Sequence, residues 1–128
     1  MRGEKREVGI KSYEDLEVYQ EGYQLVLEIY KIAKEFPEEE RYGLTGQLKR
    51  AALSIPLNVA EGYGRKARVA EFKHFLRNAL GSSNEVIVLL KLVRDLGIGQ
   101  SETLIEEYEK LAKRIYRLEE RWETKEGE

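Results

Sequence analysis

The chain has no cysteine. Disulfide stapling, thiolate nucleophiles and zinc–thiolate sites are therefore excluded together, and a reducing cytoplasm is compatible with the composition. Histidine occurs once, at His74. A di-metal carboxylate site in a helical bundle needs two Glu-x-x-His motifs, so Glu71-Phe72-Lys73-His74 is half of one. No metal and no other cofactor is expected. Neither sign of charge is in excess. Lys and Arg number 22 against 24 Asp and Glu, for a net charge of −2, which argues against a broad nucleic-acid surface. No apolar run approaches the roughly 20 residues of a membrane span. The opening MRGEKREVG has no apolar stretch of the kind a signal peptide needs. The expectation is a cytoplasmic protein without a membrane partner.

Enzymatic signatures are equally scarce. Ser54, Ser82 and Ser83 do not sit in a strand–turn–helix elbow and have no evident histidine–carboxylate partner. The glycine-rich pieces EGYGR and GIGQ follow no strand and fit neither dinucleotide-binding nor P-loop spacing. They read as helix stops. No catalytic residue and no small-molecule substrate is expected.

What is present is helical periodicity. A chain of 128 residues is one domain with room for a real core. Its 41% hydrophobic and 36% charged residues, with only two prolines, suit a bundle with a heavily charged outside. Residues 1–11 read as a disordered tail, 12–123 as a four-helix bundle and 124–128 as a frayed end. Ser12 and Asp15 form a capping-box-like pair at the start of the first helix. Phe36-Pro37 ends that helix. The second helix carries Leu44, Leu48, Ala51, Ala52, Ile55, Val59 and Tyr63 at helical spacing, in phase on both sides of Pro56, which predicts a kink rather than a break. Gly62 and Gly64 are expected to end it as left-handed caps. The third helix, about 69–96, repeats Val69, Phe72, Leu76, Ala79, Ser83, Val86, Leu90 and Val93 as a heptad seam. Within it, Gly81-Ser82-Ser83 removes bulk for a close neighbour. Ser101 caps the fourth helix, whose seam is Leu104, Tyr108, Leu111, Ile115, Leu118 and Trp122. Short connections predict an all-α, antiparallel, up-down-up-down four-helix bundle.

Three sets of residues stand out from the core pattern. The first helix has two apolar stripes: Leu16, Tyr19, Tyr23, Val26, Tyr30 and Ala33, and beside them Val18, Gly22, Leu25, Ile29, Ile32 and Phe36. A helix in a small monomer needs one stripe for its core, so Val18, Gly22, Leu25, Ile29 and Ile32 are the candidate oligomer interface; a helix sunk deep in the bundle is the alternative. The second set is polar. Arg50, Ser54, Asn58 and Glu61 line one stripe of the second helix, and Asn78, Ser82 and Glu85 one stripe of the third. If the turn is centred near Arg65–Lys66, these stripes meet, with Arg50 in reach of Glu85 and Ser54 opposite Arg77 and Asn78. That predicts a partly buried polar network in which Arg50 pairs with Glu85; the competing reading is that both stripes face water and form a surface available for binding. The third set is basic: Lys49, Arg65, Lys66, Arg68, Lys73 and Arg77 are the candidate nucleic-acid contacts, against the plainer reading of a solvated helical face.

The words FPEEERYGLTGQLKRAALSIPLNVAEGYGR and EFKHFLRNALGSSNE carry a family resemblance. YGLT, then SIP, then N-x-A-E-G, then G-S-x-x-E, resembles the bacterial four-helix-bundle family that includes proteins encoded in 23S ribosomal RNA intervening sequences, also labelled S23 ribosomal protein. That family is related in fold to the accessory variability determinants of diversity-generating retroelements. The resemblance implies a ring-like homopentamer of antiparallel bundles and no known enzymatic activity. The retroelement relatives bind nucleic acid and a reverse transcriptase and look strongly basic, whereas this chain is mildly acidic. Together these readings point to a non-enzymatic, pentameric scaffold with a protein partner. The alternative is an RNA- or DNA-binding accessory protein acting with a ribosomal RNA intervening sequence or a reverse transcriptase.

Overall fold

The computed structural model describes residues 9–40 and 43–126, with side chains as far as residue 122. Most of the expected tail (1–8), the start of the YGLT motif (Tyr42) and the last two residues lie outside the described residues. Among the described residues four helices follow one another: α1 (Glu17–Ala33), α2 (Leu44–Gly64), α3 (Val69–Asp95) and α4 (Glu102–Glu126). Each helix runs antiparallel to the one before it: Gly22 faces Ile55 while Tyr30 lies under Lys49, Gly62 faces Phe75 while Ser54 meets Ser82, and Ser101 returns α4 to Leu90 of α3. The result is an all-α, up-down-up-down four-helix bundle, closest along α2–α3 and α3–α4 and least close between α1 and α4. None of these helices is long and apolar enough to cross a membrane.

The Ser12–Asp15 capping box forms, but it closes a 3-10 turn over Tyr13–Asp15 rather than α1. Leu16 then adopts an extended backbone and is buried in the core, and α1 begins after it at Glu17. Downstream, α2 runs unbroken through Pro56. The seams expected for α3 and α4 are the observed ones. Phe72, Leu76, Ala79, Ser83, Val86, Leu90 and Val93 meet Leu104, Tyr108, Leu111, Ile115, Leu118 and Trp122 in a single core. Tyr63, Phe72 and Trp122 close one end of it edge to face, at centroid distances of 4.8 to 6.4 Å. Tyr108 is wholly buried among the aliphatic residues. Burial disfavours its phenolate and holds its pKa above the ordinary value.

The glycines and serines take roles other than those expected. Gly97 is the one glycine with positive φ among the described residues. Its N–H donates to the Arg94 carbonyl and that of Ile98 to the Val93 carbonyl, the paired bonds of a left-handed helix stop. Gly62 and Gly64 are helical instead of left-handed. Gly62 is buried because α3 lies against it: a Cβ there would stand 2.6 Å from Phe75 Cβ and 3.0 Å from Phe72 Cδ1. Gly81 faces open space and is not the close-approach position. Ser83 satisfies its buried hydroxyl on the Ala79 carbonyl of its own helix at 3.0 Å. Ser101 holds the N-cap position, its carbonyl accepting from Ile105 N–H. Its hydroxyl, however, donates to the Leu90 carbonyl at 2.7 Å, so the expected side-chain cap is a clasp between α3 and α4.

Two glycines in helical segments therefore give opposite outcomes on substitution. Gly62→Ala forces a methyl into the Phe72–Phe75 contact and is expected to destabilise by about 1–3 kcal/mol. Gly81→Ala meets nothing and restores helix propensity, so it is expected to stabilise by about 0.5–1 kcal/mol. Chemical denaturation of the two variants checks both signs.

Candidate functional site

The polar stripe is split by the structure into a small bonded centre and a solvated margin. Ser54 Oγ and Ser82 Oγ share a hydrogen bond of 2.8 Å across the α2–α3 seam. Asn58 Nδ2 donates to the Ser54 hydroxyl at 2.9 Å and to the Ser54 carbonyl at 2.8 Å. These three residues are half-buried. Ser54 thus meets Ser82 instead of Asn78, one helical turn further along α3 than a turn centred at Arg65–Lys66 implies. Gly62 explains the offset, because its missing side chain lets α3 enter against it at Phe72 and Phe75.

The remaining members of the expected network stand outside it. Arg50 and Glu85 line the same cleft of about 330 Å³ with Gln47, Ala51, Ser54 and Ser82, but both are exposed and no ion pair joins them among the described residues. The short serines bring the helices together and leave the long side chains splayed into water, where pairing gains little. Glu61 turns to Arg65, 3.0 Å away on its own helix. Asn78 is exposed and reaches only His74, at 3.5 Å. His74 lies outside the core, edge-on to Phe75, and no group of three potential metal ligands occurs among the described residues.

The six basic candidates do not form one patch. Lys49 lies over the Tyr30 ring, 4.7 Å from its centroid, on the α1–α2 face. Arg77 is turned toward α4, where it bonds Glu119. Lys73 is half-buried on α3. Arg65, Lys66 and Arg68 come together at the exposed α2–α3 turn, partly committed already. Arg65 contacts Glu61 and, at 3.7 Å, Glu71, and it covers Phe75. Lys66 covers Tyr63.

The structure divides the candidate interface on α1. Val18, Gly22 and Ile29 are buried within the protomer, where a Cβ on Gly22 would stand 3.2 Å from Ile55 Cγ2. They hold α1 to its own bundle. Leu25 and Ile32 are half-buried and line a cleft facing α4. The core line of α1, Val18, Gly22, Val26, Ile29 and Ala33, runs between the two stripes and takes residues from both. The apolar arc is wider than the contact with α2, and the surplus appears on its flanks. One flank is a surface not foreseen as such: Tyr23, Leu27 and Tyr30 on α1, beside Leu53 and Leu57 on α2, are exposed. A groove of about 330 Å³ runs between them over Pro56. Leu53 and Leu57, four residues apart and off the core face, were the available signal for it. A second exposed row, Val88, Leu92 and Leu96, runs along α3.

Exposure of Arg50 and Glu85 sets the outcome of a double-mutant cycle. Arg50→Ala, Glu85→Ala and the double change are expected to show a coupling below about 1 kcal/mol in urea denaturation. A buried pair losing one partner would instead cost about 3–5 kcal/mol.

The comparison with known proteins agrees with this fold. A sequence model of the family described as 23S rRNA-intervening sequence protein matches residues 14–118, which include the bonded serines, the α2–α3 turn and both exposed apolar rows. No curated protein matches the chain at a significant level. With that match spanning most of a four-helix, all-α chain, the protein belongs to the 23S rRNA-intervening sequence protein family.

Proposed function

We propose that the protein is a non-enzymatic scaffold of the cytoplasm that assembles with copies of itself, as a pentamer, through the outer face of α1 and α2. One observation carries this reading. Tyr23, Leu27 and Leu57 are 49%, 51% and 65% exposed, on adjacent helices and next to Tyr30 and Leu53. Large apolar side chains gathered this way on a small chain mark an interaction site, whereas scattered ones do not. A ring of identical chains needs two different surfaces, one on each side of the protomer. The row Val88, Leu92 and Leu96 on α3 supplies a second apolar surface on another helix. The number five rests on the family resemblance alone.

The test is sedimentation or light scattering at micromolar concentration. The unmutated chain is expected to be oligomeric. The pair Leu27→Glu and Leu57→Glu is expected to give folded monomers, since exposed substitutions alter protomer stability by only about 0.5 kcal/mol. A monomeric unmutated chain, or a doubly charged variant that stays assembled, removes the reading.

A second reading has one observation in its favour. Arg65, Lys66 and Arg68 are exposed side by side at the α2–α3 turn, and assembly would multiply that small cationic site into one with avidity. It would contact RNA or DNA phosphates without sequence preference and lose affinity steeply with salt. Changing all three to alanine is expected to abolish any gel shift seen at low salt; a shift that survives places the contact elsewhere on the protein.

A further inference from the structure

Three of the four helix seams are closed by interdigitated side chains, and the fourth is not. α1 touches α4 less than any other sequence-adjacent or flanking pair of helices. Between them lies a trough of about 850 Å³, which continues into a further space of about 260 Å³ sharing Leu25 and Glu107 in its walls. We propose that this α1–α4 trough is the docking groove for a basic amphipathic helix of a partner protein. The surface is distinct from the α1–α2 face assigned to self-assembly, so the two readings stand or fall separately.

Shape favours a helix. The trough follows α1 from Gln20 to Ile32, about 18 Å at the helical rise, or somewhat more than three turns. A furrow between two antiparallel helices accepts a third by ridge-into-groove packing. The floor of its larger part is apolar: Leu25 and Ile32 are half-buried, and Leu104 is nearly enclosed. Apolar residues of the partner at three- and four-residue spacing would cover them.

Charge specifies the sign of the partner. The trough walls hold Glu21, Glu28, Glu102 and Glu107, against Arg94 and Arg114. Both arginines are already engaged. Arg94 bonds Asp95 at 2.8 Å and Glu102 at 3.3 Å, and Arg114 bonds Glu21. Glu28 makes no ion pair among the described residues, and Glu107 is held only by Lys110 at 3.8 Å. The free potential at the mouth is thus negative. Nucleic-acid phosphates are repelled there, and Lys or Arg side chains flanking an apolar stripe are attracted.

The test uses the full chain and two labelled synthetic helices of about fifteen residues with the same leucine pattern, one filled with lysine and one with glutamate. Fluorescence anisotropy is expected to show saturable binding of the leucine–lysine helix, weakening with salt, and none of the leucine–glutamate helix. Glu28→Lys with Glu107→Lys is expected to reduce the affinity at least about tenfold. Glu106→Lys with Glu109→Lys makes the same charge change on exposed residues outside the trough and is expected to leave binding intact. Leu25→Trp, which fills the trough without changing charge, is expected to weaken it as well; if that variant does not fold by circular dichroism, the two charge pairs still decide. Equal binding of both peptides, or equal loss from both charge pairs, overturns the proposal. A change of assembly state in the Glu28→Lys, Glu107→Lys variant also overturns it, because the occupant is then a second copy of this chain.

Discussion

Close approach of α2 and α3 governs the arrangement of the other elements. At one end Gly62 presents bare backbone to Phe72 and Phe75. Further along, Ser54 and Ser82 meet hydroxyl to hydroxyl. Small residues at both points let the helix axes come together, and the two hydroxyls hydrogen-bond to each other across the contact. Because Gly62 admits the phenylalanines at one level only, it also sets which residues face each other along the whole seam. The shift that carries Ser54 to Ser82 is the same shift that leaves Asn78 outside.

With that seam in place, α4 clasps α3 through the Ser101 hydroxyl and the Leu90 carbonyl, and α1 closes on α2 where Gly22 fits over Ile55 and Pro56. α1 is the element with apolar surface to spare. Its contact with α2 consumes a narrow line, and the arc on either side remains for other purposes. On one flank the surplus is aromatic and aliphatic and lies open beside Leu53 and Leu57. On the other it forms the floor of an acidic trough. The same helix thus offers two surfaces of different chemistry, one apolar and open and one edged by carboxylates.

Part of the charge in this protein is spent locally. Arg65, Arg77, Arg94 and Arg114 each have a carboxylate partner, and Lys49 and Lys66 lie over tyrosine rings. Exposed pairs of this kind add little stability, but they remove cations from any broad phosphate-binding surface. At the α2–α3 turn Arg65, Lys66 and Arg68 are exposed together, and at the opposite end of the bundle the space between α1 and α4 is lined by Glu28, Glu102 and Glu107.

The core was legible in the linear pattern. The seams of α3 and α4 repeat at three and four residues over many turns, and burial follows them because a long periodic face has only one way to leave water. The helix stop in GIGQ and the absence of a break at Pro56 were legible for the same local reasons. Three features were decided by tertiary structure alone. The identity of the close-approach glycine, Gly62 and not Gly81, depends on where a neighbouring helix passes, which no local signal encodes. The choice between the two stripes of α1 was settled by neither stripe winning, since the residues buried against the bundle, Val18, Gly22, Val26, Ile29 and Ala33, come from both. The fate of Arg50 and Glu85 followed from register. Periodicity brought them to the same cleft, but the short serines between them determined that the helices meet on hydroxyls and that the long charged side chains remain in water.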